Sequence, residues 1–593
     1  MIKTFKIFSM AAMALMMAAC SSEDAALNNS TAQQQGRKVQ FTATIAAPNS
    51  GAGTRTEYTE VTSGDAAGTI NVAWKAGDKI ALIHNGTKDE VEIETVIEDG
   101  SAIISGDITV GTDGEDVTAY YPAEAIELNS DKNPVPSAAY TQKILAQDGT
   151  LSYIASNLDL RCGESKLAVS DDKATLAASV SLASQIAIWK LTLQDNAATP
   201  AALKATQVSV LLNGEEPVTL AGTSTLSSAT STVYLGMDKM ASEDIIIEAT
   251  VGGDTYIYKK AGASLEYGQY YQSTVTMAKV VDLSKLTADY TAQDGDVLTG
   301  TLDGEKQKIK ITIADGATIT LDGVTINGWN DGVGSSETEV PWAGITCLGN
   351  ATIILKDGSK NTVKGFHMDY PGIQAGPTGK TLVIKGENQG TGSLDASPYD
   401  VKSDHCYGAG IGGGLDISCG DINIQGGVIT VTGGYGAAGI GVGEGYGEGY
   451  GEENVSCGTI TISGGNVTAT GGQGAAGIGG GYAYDYGVTC GAITISGGTV
   501  TAAGGDNAAG IGSGESNPGK TNTCGDIKIT ADVTSVTATK GKNATNSIGA
   551  GKDGTCGTVT IGGDATTYAA GVAESPFVYP TPSVAPSAVT STD

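Results

Sequence analysis

Three groups of residues in this chain have types and spacings that could do chemistry. The first is a glycine run. Gly408, Gly410 and Gly413 satisfy G-x-G-x-x-G, the loop that cradles a dinucleotide pyrophosphate when a strand precedes it and a helix follows. Here a strand-like segment follows instead, Cys419-Gly-Asp-Ile-Asn-Ile, in which apolar and polar residues alternate. The phrase also returns, as AAGIGVG at 437, AAGIGGG at 475, AAGIGSG at 508 and NSIGAG at 546. A nucleotide loop does not recur five times, so these glycines read as corners of a repeated coil.

The second group is a set of cysteines. Cys419, Cys457, Cys490, Cys524 and Cys556 lie 38, 33, 34 and 32 residues apart, each opening Cys-Gly-x-Ile/Val-x-Ile. A metal or redox site would favour C-x-x-C or a recurring histidine, but no C-x-x-C occurs, and His367 and His405 do not follow the period. The favoured reading is a stack of small buried side chains. Spacing leaves free thiols and disulfides between neighbouring coils both open.

The third group lies in the variable loops between glycine phrase and cysteine. EGYGEGYGEENVS (444–456) and YAYDYGVT (482–489) supply Tyr446, Tyr450, Tyr482, Tyr484 and Tyr486, and earlier loops add Trp329, Trp342 and Tyr370, with Tyr399 and Tyr407 nearby in sequence. An aromatic ring offers an apolar face to the C–H side of a pyranose and, in Tyr, a hydroxyl to its edge. These residues are the carbohydrate-binding candidates. Glu444, Glu448, Glu452 and Asp485 are the metal candidates, since oxygen ligands on loops suit Ca²⁺, although no EF-hand loop is present. Calcium is thus the one cofactor considered. Residues 403–519 contain ten carboxylates and no Lys or Arg, so the expected ligand is a neutral glycan, or a charged one bridged by calcium. The plainer alternative is that these loops are solvated decoration that keeps a glycine-rich surface soluble.

The elements that must position these groups follow from the repeat. A period of 32–38 residues made of short strands punctuated by glycine signals a solenoid. Three short strands per coil, with glycine where positive φ or close backbone approach is required, give a parallel β-helix over 284–570. Right-handedness is expected from the general preference of crossovers. KIKITIADGATITLDGVTI (308–326), ATIILKDGSKNTVKG (351–365) and KTLVIKGENQGTGSL (380–394) share the rhythm without the glycine phrase and read as earlier, less regular coils.

The 593 residues allow several domains, and the composition is extreme: 85 Gly, 5 Phe and a net charge of -31. Nucleic acid and anionic lipid surfaces are excluded as partners, because both need clustered Lys or Arg. Only Arg37, Arg55 and Arg161 represent arginine. Segments such as VQFTATIA (39–46), KIALIHN (79–85), ASQIAIWKLTLQ (183–194) and YYQSTVTMAKV (270–280) alternate at spacings that suggest β-sandwiches. The start, MIKTFKIFSMAAMALMMAAC, has the charge and apolar run of a signal peptide. The end, from 575, is rich in Pro, Ser and Thr and reads as a tail.

Several resemblances sharpen this outline. Met17-Ala-Ala-Cys20 resembles the lipobox of bacterial lipoproteins, which implies lipidation at Cys20, and the following SSEDAA resembles the surface-export signal of Bacteroidetes-type lipoproteins. Ordinary signal-peptidase cleavage is the alternative. Thr54-Arg55-Thr56, Ile70-Asn-Val-Ala-Trp74-Lys-Ala-Gly77-Asp78-Lys-Ile80 and Leu265-Glu-Tyr-Gly268-Gln-Tyr-Tyr271 resemble the fimbrillin family over about 240 residues. That family implies two β-sandwiches and, in pilus-forming members, removal of an N-terminal strand by an Arg-directed protease, for which Arg55 is the candidate site. Ala343-Gly-Ile-Thr-Cys347-Leu-Gly, Pro371-Gly-Ile373 and Gly408–Gly414 resemble a family of extracellular β-helix proteins associated with carbohydrate binding.

The resulting expectation is an all-β chain: signal peptide 1–20, polar leader 21–38, fimbrillin-like β-sandwiches 39–180 and 181–281, a right-handed parallel β-helix 284–570, and a tail 571–593. Its expected place is the outer membrane, lipid-anchored and facing outward, with no other membrane contact. Its expected role is a glycan-binding adhesin whose partner is a polysaccharide or a host or bacterial glycan. A fimbrial tip or structural pilus component, with other pilus subunits as partners, is the first alternative, and a spacer role for the sandwiches goes with it. A polysaccharide lyase or hydrolase is the second. The non-enzyme reading is preferred because lyases on such folds use a basic side chain, often Arg, and none lies beyond Arg161, while Asp395, Asp400 and Asp404 show no sign of the fixed separation hydrolysis needs.

Overall fold

The structure, a computed structural model, describes residues 37–48, 59–60, 70–71, 73–109, 112–197, 199–212, 218–219, 226, 228–328, 341–401, 405–447, 454–562, 566–569 and 571–580. It contains two compact units, one holding residues up to 195 together with 200–277, the other 196–199 and 278 onward. Among the described residues no helix is long and apolar enough to cross a membrane.

The first unit is built on alternation. KVQFTATI (Lys38–Ile45) buries every second residue, Val39, Phe41, Ala43 and Ile45, because successive side chains of a strand face opposite sides. This strand pairs antiparallel with Ala102–Thr109 along all eight residues and parallel with Lys173–Leu176 at Gln40 and Phe41. Lys173–Leu176 also pairs with Arg161–Val169, so the eight-stranded sheet folds over and seals its own edges around the first core. Trp74 lies over that core: its Nε1 donates to the Ala46 carbonyl at 2.9 Å and its ring meets Tyr121 edge-on at 5.3 Å. Tyr121 in turn donates its hydroxyl to Asp78 at 2.8 Å, and Gly77 takes φ +90° between Trp74 and Asp78. The Trp-Lys-Ala-Gly-Asp motif is therefore a packing and turn signature.

The second core of this unit lies between two sheets. Ala187–Asp195 pairs with Thr232–Met237 and with Tyr270–Met277, and Gln207–Leu212 pairs with Met240–Val251, which continues into Asp254–Leu265. Trp189, Leu191, Val210, Ile245, Ile247 and Met277 fill the space between. Two short helices, Ala138–Leu145 and Leu151–Asn157, carry N-caps from Ser137 and Thr150. Gln147, buried beside them, bonds Gly236 twice, donating at 3.0 Å and accepting at 2.8 Å.

One polar group is sealed in the first core region. His84 is 3% exposed, with Nε2 at 3.1 Å from Asp89 and Nδ1 at 3.5 Å from Glu115. Burial pushes its pKa down, but the Asp89 hydrogen bond and the two carboxylates outweigh it and raise the pKa above 6.5. A raised folded pKa stabilises the fold fully below pH 6.5, and that stabilisation is lost as pH rises through the folded value. The unfolding midpoint of this unit, followed by the fluorescence of Trp74 and Trp189, should therefore fall as pH rises above 6.5. His84→Gln should flatten that dependence.

The second unit is a parallel β-helix. One column of strands runs from Tyr290–Ala292 to Ile548–Gly549 through nine coils. Its regular part stacks Ile345, Ile373, Ile411, Ile440, Ile478, Ile511 and Ile548 directly on one another. The Ile-x-Ile segments stack likewise, Ile422 on Ile460, Ile493 and Ile527, and the Val-Thr-Ala segments form a further column. All these Ile side chains are fully buried. The second half of the Ile-Gly strand explains the glycine phrase. Gly412, Gly441, Gly479, Gly512 and Gly549 take φ 128–141°, and a Cβ at any of the first four would overlap the carbonyl oxygen of the glycine on the next coil. The later coils differ from the expected three strands. Asn454–Cys457, Gly487–Cys490, Asn522–Cys524 and Thr555–Cys556 add a fourth column, which stacks cysteine on cysteine. Thr566–Tyr568 and Phe577–Tyr579 pair antiparallel with the last coils and close that end, the usual protection of an open sheet edge.

Ile478→Ala removes a side chain with neighbours above and below and should cost about 2–5 kcal/mol in chemical denaturation. Thr468→Ala, on an exposed position of the next column, should stay within about 0.5 kcal/mol.

Candidate functional site: a tyrosine row over a buried carboxyl

Gly445 lies in register with Ala483, and Ala483 with Ser516, so the loops that follow these positions leave the coil at the same place. The consequence is a row of rings. Tyr446 stacks on Tyr484 with centroids 5.1 Å apart and planes 14° from parallel, and Tyr407 stacks on Tyr446 at 5.9 Å and 23°. Tyr435 meets Tyr407 edge-on at 6.4 Å, and Tyr482 meets Tyr484 edge-on at 5.7 Å. Tyr484 is 39% exposed and the other four are half-buried. Offset and edge-on contacts of this kind add to area burial. Tyr482 donates its hydroxyl to Asn517 at 2.6 Å, and Asn517 donates back to the Tyr484 carbonyl at 3.0 Å.

The row is anchored from beneath. Asp416 sits at φ +52°, and its carboxylate accepts from the backbone amides of Tyr446 at 2.7 Å and Gly447 at 3.0 Å. Its own amide donates to the Glu444 carbonyl at 3.0 Å, while the Glu444 amide donates to the Tyr407 carbonyl at 3.3 Å. Glu444 is thus tied by backbone to both Tyr407 and Asp416. Its side chain is 1% exposed, and Oε2 has no hydrogen-bond partner. Burial, with the Asp416 charge added, pushes the Glu444 carboxyl up to about 8. It is protonated at neutral pH. Gly436, at φ +67°, leaves the space that this carboxyl occupies. Burial and the nearby carboxylates also raise the Tyr407 and Tyr482 hydroxyls to about 12, which keeps them neutral donors.

The structure distributes the sequence candidates unevenly. Tyr446, Tyr482 and Tyr484 come together, and Tyr486 lies against Gly447 beside them. The Tyr370 ring meets His367 edge-on at 6.1 Å, and its backbone lies against Gly408 beside Tyr407. Trp342 is tilted against Phe366 and packs on the core, with its Nε1 buried and without a hydrogen-bond partner, so its ring is occupied by the protein itself. Trp329, Tyr450, Glu448, Glu452, Arg55 and Cys20 lie outside the described residues. Of the remaining metal candidates, Asp485 is exposed and 3.9 Å from Lys520, whereas Glu444 is sealed from solvent at 1% exposure. Among the described residues no three His, Cys, Asp or Glu side chains converge as a metal site.

Tyr435 and Asp416 escaped the sequence reading. Tyr435 stands where later coils carry Gln473 and Asp506, two residues before the Ala-Ala-Gly or Asn-Ala-Ala-Gly phrase, and aligning the repeats would have marked it as outward. Asp416 gives no such signal, because its role depends on a left-handed backbone.

A carboxyl whose folded pKa is raised contributes stability fully present below its unfolded pKa of 4.5, and that contribution is lost as pH rises through about 8. The β-helix should therefore unfold at lower denaturant as pH goes from 4.5 to 8, and Glu444→Gln should remove most of that slope. Unfolding followed by hydrogen exchange of residues 440–490 reads it directly.

Comparison with known proteins places the repeats and finds distant structural likenesses. The β-helix repeat family matches residues 460–482 and 493–515, each span running from an Ile-x-Ile strand past an Ile-Gly strand. No curated protein matches the chain. Similar solved structures include a fimbrial protein from Bacteroides ovatus, 14% identical, covering 41% of this chain and 49% of that one at TM-score 0.23. A cell-adhesion candidate from Bacteroides uniformis is 14% identical, covering 41% of this chain and 98% of that one at TM-score 0.23. A fimbrial assembly protein from Parabacteroides distasonis is 13% identical, covering 40% and 90% at TM-score 0.22. This chain thus spans about half the length of the B. ovatus protein.

Proposed function

We propose that this chain is a surface adhesin that binds a neutral glycan along the tyrosine row of its β-helix. The observation that carries this reading is the stack Tyr407–Tyr446–Tyr484, in which coil register aligns the 446 and 484 loops, flanked by Tyr435 and Tyr482. The stacking uses most ring faces on one another. What remains for a ligand is a line of ring edges at the 5.9 and 5.1 Å ring spacings, with Tyr484 the most open, while the Tyr407 and Tyr482 hydroxyls meet His405 at 3.3 Å and Asn517 at 2.6 Å. An extended sugar chain laid along the row meets successive apolar ring edges. The absence of Lys and Arg from 403 to 519 disfavours polyanionic glycans at this face. Beneath the row, burial raises the Glu444 carboxyl to about 8 and leaves Asp416 as the carboxylate that holds the amides at 446 and 447. Lipid anchoring at Cys20 and outward display on the outer membrane complete the proposal, and they rest on the N-terminal sequence alone.

Affinity electrophoresis of the full chain through gels containing single polysaccharides, neutral and uronic, tests the reading. Retardation by a neutral glycan, unchanged by chelator, is expected. Tyr484→Ala should weaken it about three- to tenfold, the loss of one hydrogen-bonding ring, and Trp342→Phe should leave it unchanged. No retardation across neutral glycans would overturn glycan binding, and retardation abolished by chelator would replace it with cation-bridged binding.

A further inference from the structure

Five cysteines occupy one place on five successive coils. Cys419 pairs with Cys457, Cys457 with Cys490, Cys490 with Cys524 and Cys524 with Cys556, all parallel and in register. All five are free thiols. Cys419, Cys457, Cys490 and Cys524 are at most 4% exposed, whereas Cys556, on the last coil of the column, is half-buried. Residues paired directly across neighbouring strands have backbones about 4.8 Å apart, inside the 4.4–6.8 Å Cα separation that a disulfide spans. Three of the thiols share one orientation, whereas Cys419 leans on the Gly441 carbonyl at 3.9 Å. Cys457 Sγ leans on the Gly420 carbonyl at 3.5 Å, Cys524 Sγ on Gly491 at 3.9 Å and Cys556 Sγ on Gly525 at 3.6 Å, each on the coil before its own.

We propose that Cys556 is the entry point for oxidation of this column and that it forms a disulfide with Cys524, stapling the last cysteine-bearing coil to the coil beneath it. Solvent reaches only the Cys556 end, so a small oxidant meets that thiol first. The Cys524 thiol, as donor, holds the Cys556 thiol below its ordinary value of 9 despite partial burial, while its hydrogen bonds to Cys490 and Cys556, with burial, raise Cys524 itself. The thiolate that attacks is therefore that of Cys556.

The oxidant is a low-molecular-weight disulfide such as oxidised glutathione. The Cys556 thiolate attacks one of its sulfurs, forming a mixed disulfide and releasing one glutathione thiolate. Cys524 gives its proton to that departing thiolate or to water, attacks Cys556 Sγ and displaces the second glutathione. Two protein thiols are oxidised to one disulfide, and one glutathione disulfide is reduced to two thiols. Cys490, Cys457 and Cys419 stay reduced because no oxidant reaches them. The end of a solenoid is where the link matters most, since a terminal coil has a stacked neighbour on one side only. Among the described residues its open side is covered by the short antiparallel segments Thr566–Tyr568 and Phe577–Tyr579 and by Val572, bridged to Ile548.

The test is peptide mapping of the native full chain after exposure to oxidised glutathione and alkylation of remaining thiols. Cleavage at Lys520, Lys528 and Lys552 puts Cys524 on peptide 521–528 and Cys556 on the peptide beginning at Asp553, whereas Cys419, Cys457 and Cys490 share 403–520. The expected product joins 521–528 to the Asp553 peptide. Cys524→Ser should trap glutathione on Cys556, and Cys556→Ser should leave Cys524 alkylatable. Oxidation should also slow hydrogen exchange of residues 555–579 several-fold in the wild-type chain. A link from 521–528 to 403–520, or Cys524 and Cys556 both still alkylatable, would overturn the proposal.

Discussion

The parallel hydrogen-bond ladder between coils is the constraint on which the second unit depends. Each coil presents its backbone edge to the next, so the partner of every residue is the residue one period later. Ile478 must sit on Ile440 and under Ile511, and Gly479 on Gly441 and under Gly512. The two columns make opposite demands. The Ile column gains by filling space, while the Gly column tolerates no Cβ because the next backbone lies where it would be. A slip of one residue would exchange them, burying a void and forcing a side chain into a carbonyl. The register is fixed by this pair of demands more than by hydrogen bonding, which any register would satisfy.

The same ladder turns sequence repetition into surface chemistry. Any residue type placed at one position of each coil becomes a column at strand spacing, whether the residues are interior thiols or loop tyrosines. The tyrosine row therefore needs no dedicated scaffold beyond the turn at Asp416, whose carboxylate holds the amides at 446 and 447. Glu444 departs from local consistency, its buried Oε2 without a hydrogen-bond partner, as is Trp342 Nε1, and burial raises the Glu444 carboxyl to about 8. Such departures from the rule that buried polar groups are paired concentrate where a structure serves a purpose besides stability.

The first unit solves the edge problem differently. Its leading strand is gripped on both sides, antiparallel along its whole length and parallel at two residues. Trp74 is tied to the residue that follows that strand, Ala46, and to Tyr121. The strand's place in the fold thus depends on partners more than 50 residues away in sequence, Ala102–Thr109 and Lys173–Leu176. His84, clamped between Asp89 and Glu115, adds a charged interaction to the same neighbourhood.

The sequence by itself determined the β-helix, its period, the buried Ile columns, the need for glycine at the corners and the stacking of the cysteines, because a solenoid maps each period onto one coil and interior contacts are between like positions. It also marked Tyr446, Tyr482 and Tyr484 as loop residues. Only the tertiary structure decided that these rings stack on one another, that Tyr407 and Tyr435 join them, that Trp342 is absorbed by the core, and that Glu444 is sealed and protonated while Asp485 stays in solvent. The fourth strand of the later coils was likewise invisible, being two to four residues long and set by where the variable loops return. The physical reason is the same in each case. Periodicity fixes which residues face inward, but loop direction depends on turns such as the left-handed Asp416 and on neighbours a full coil away, which no local pattern encodes.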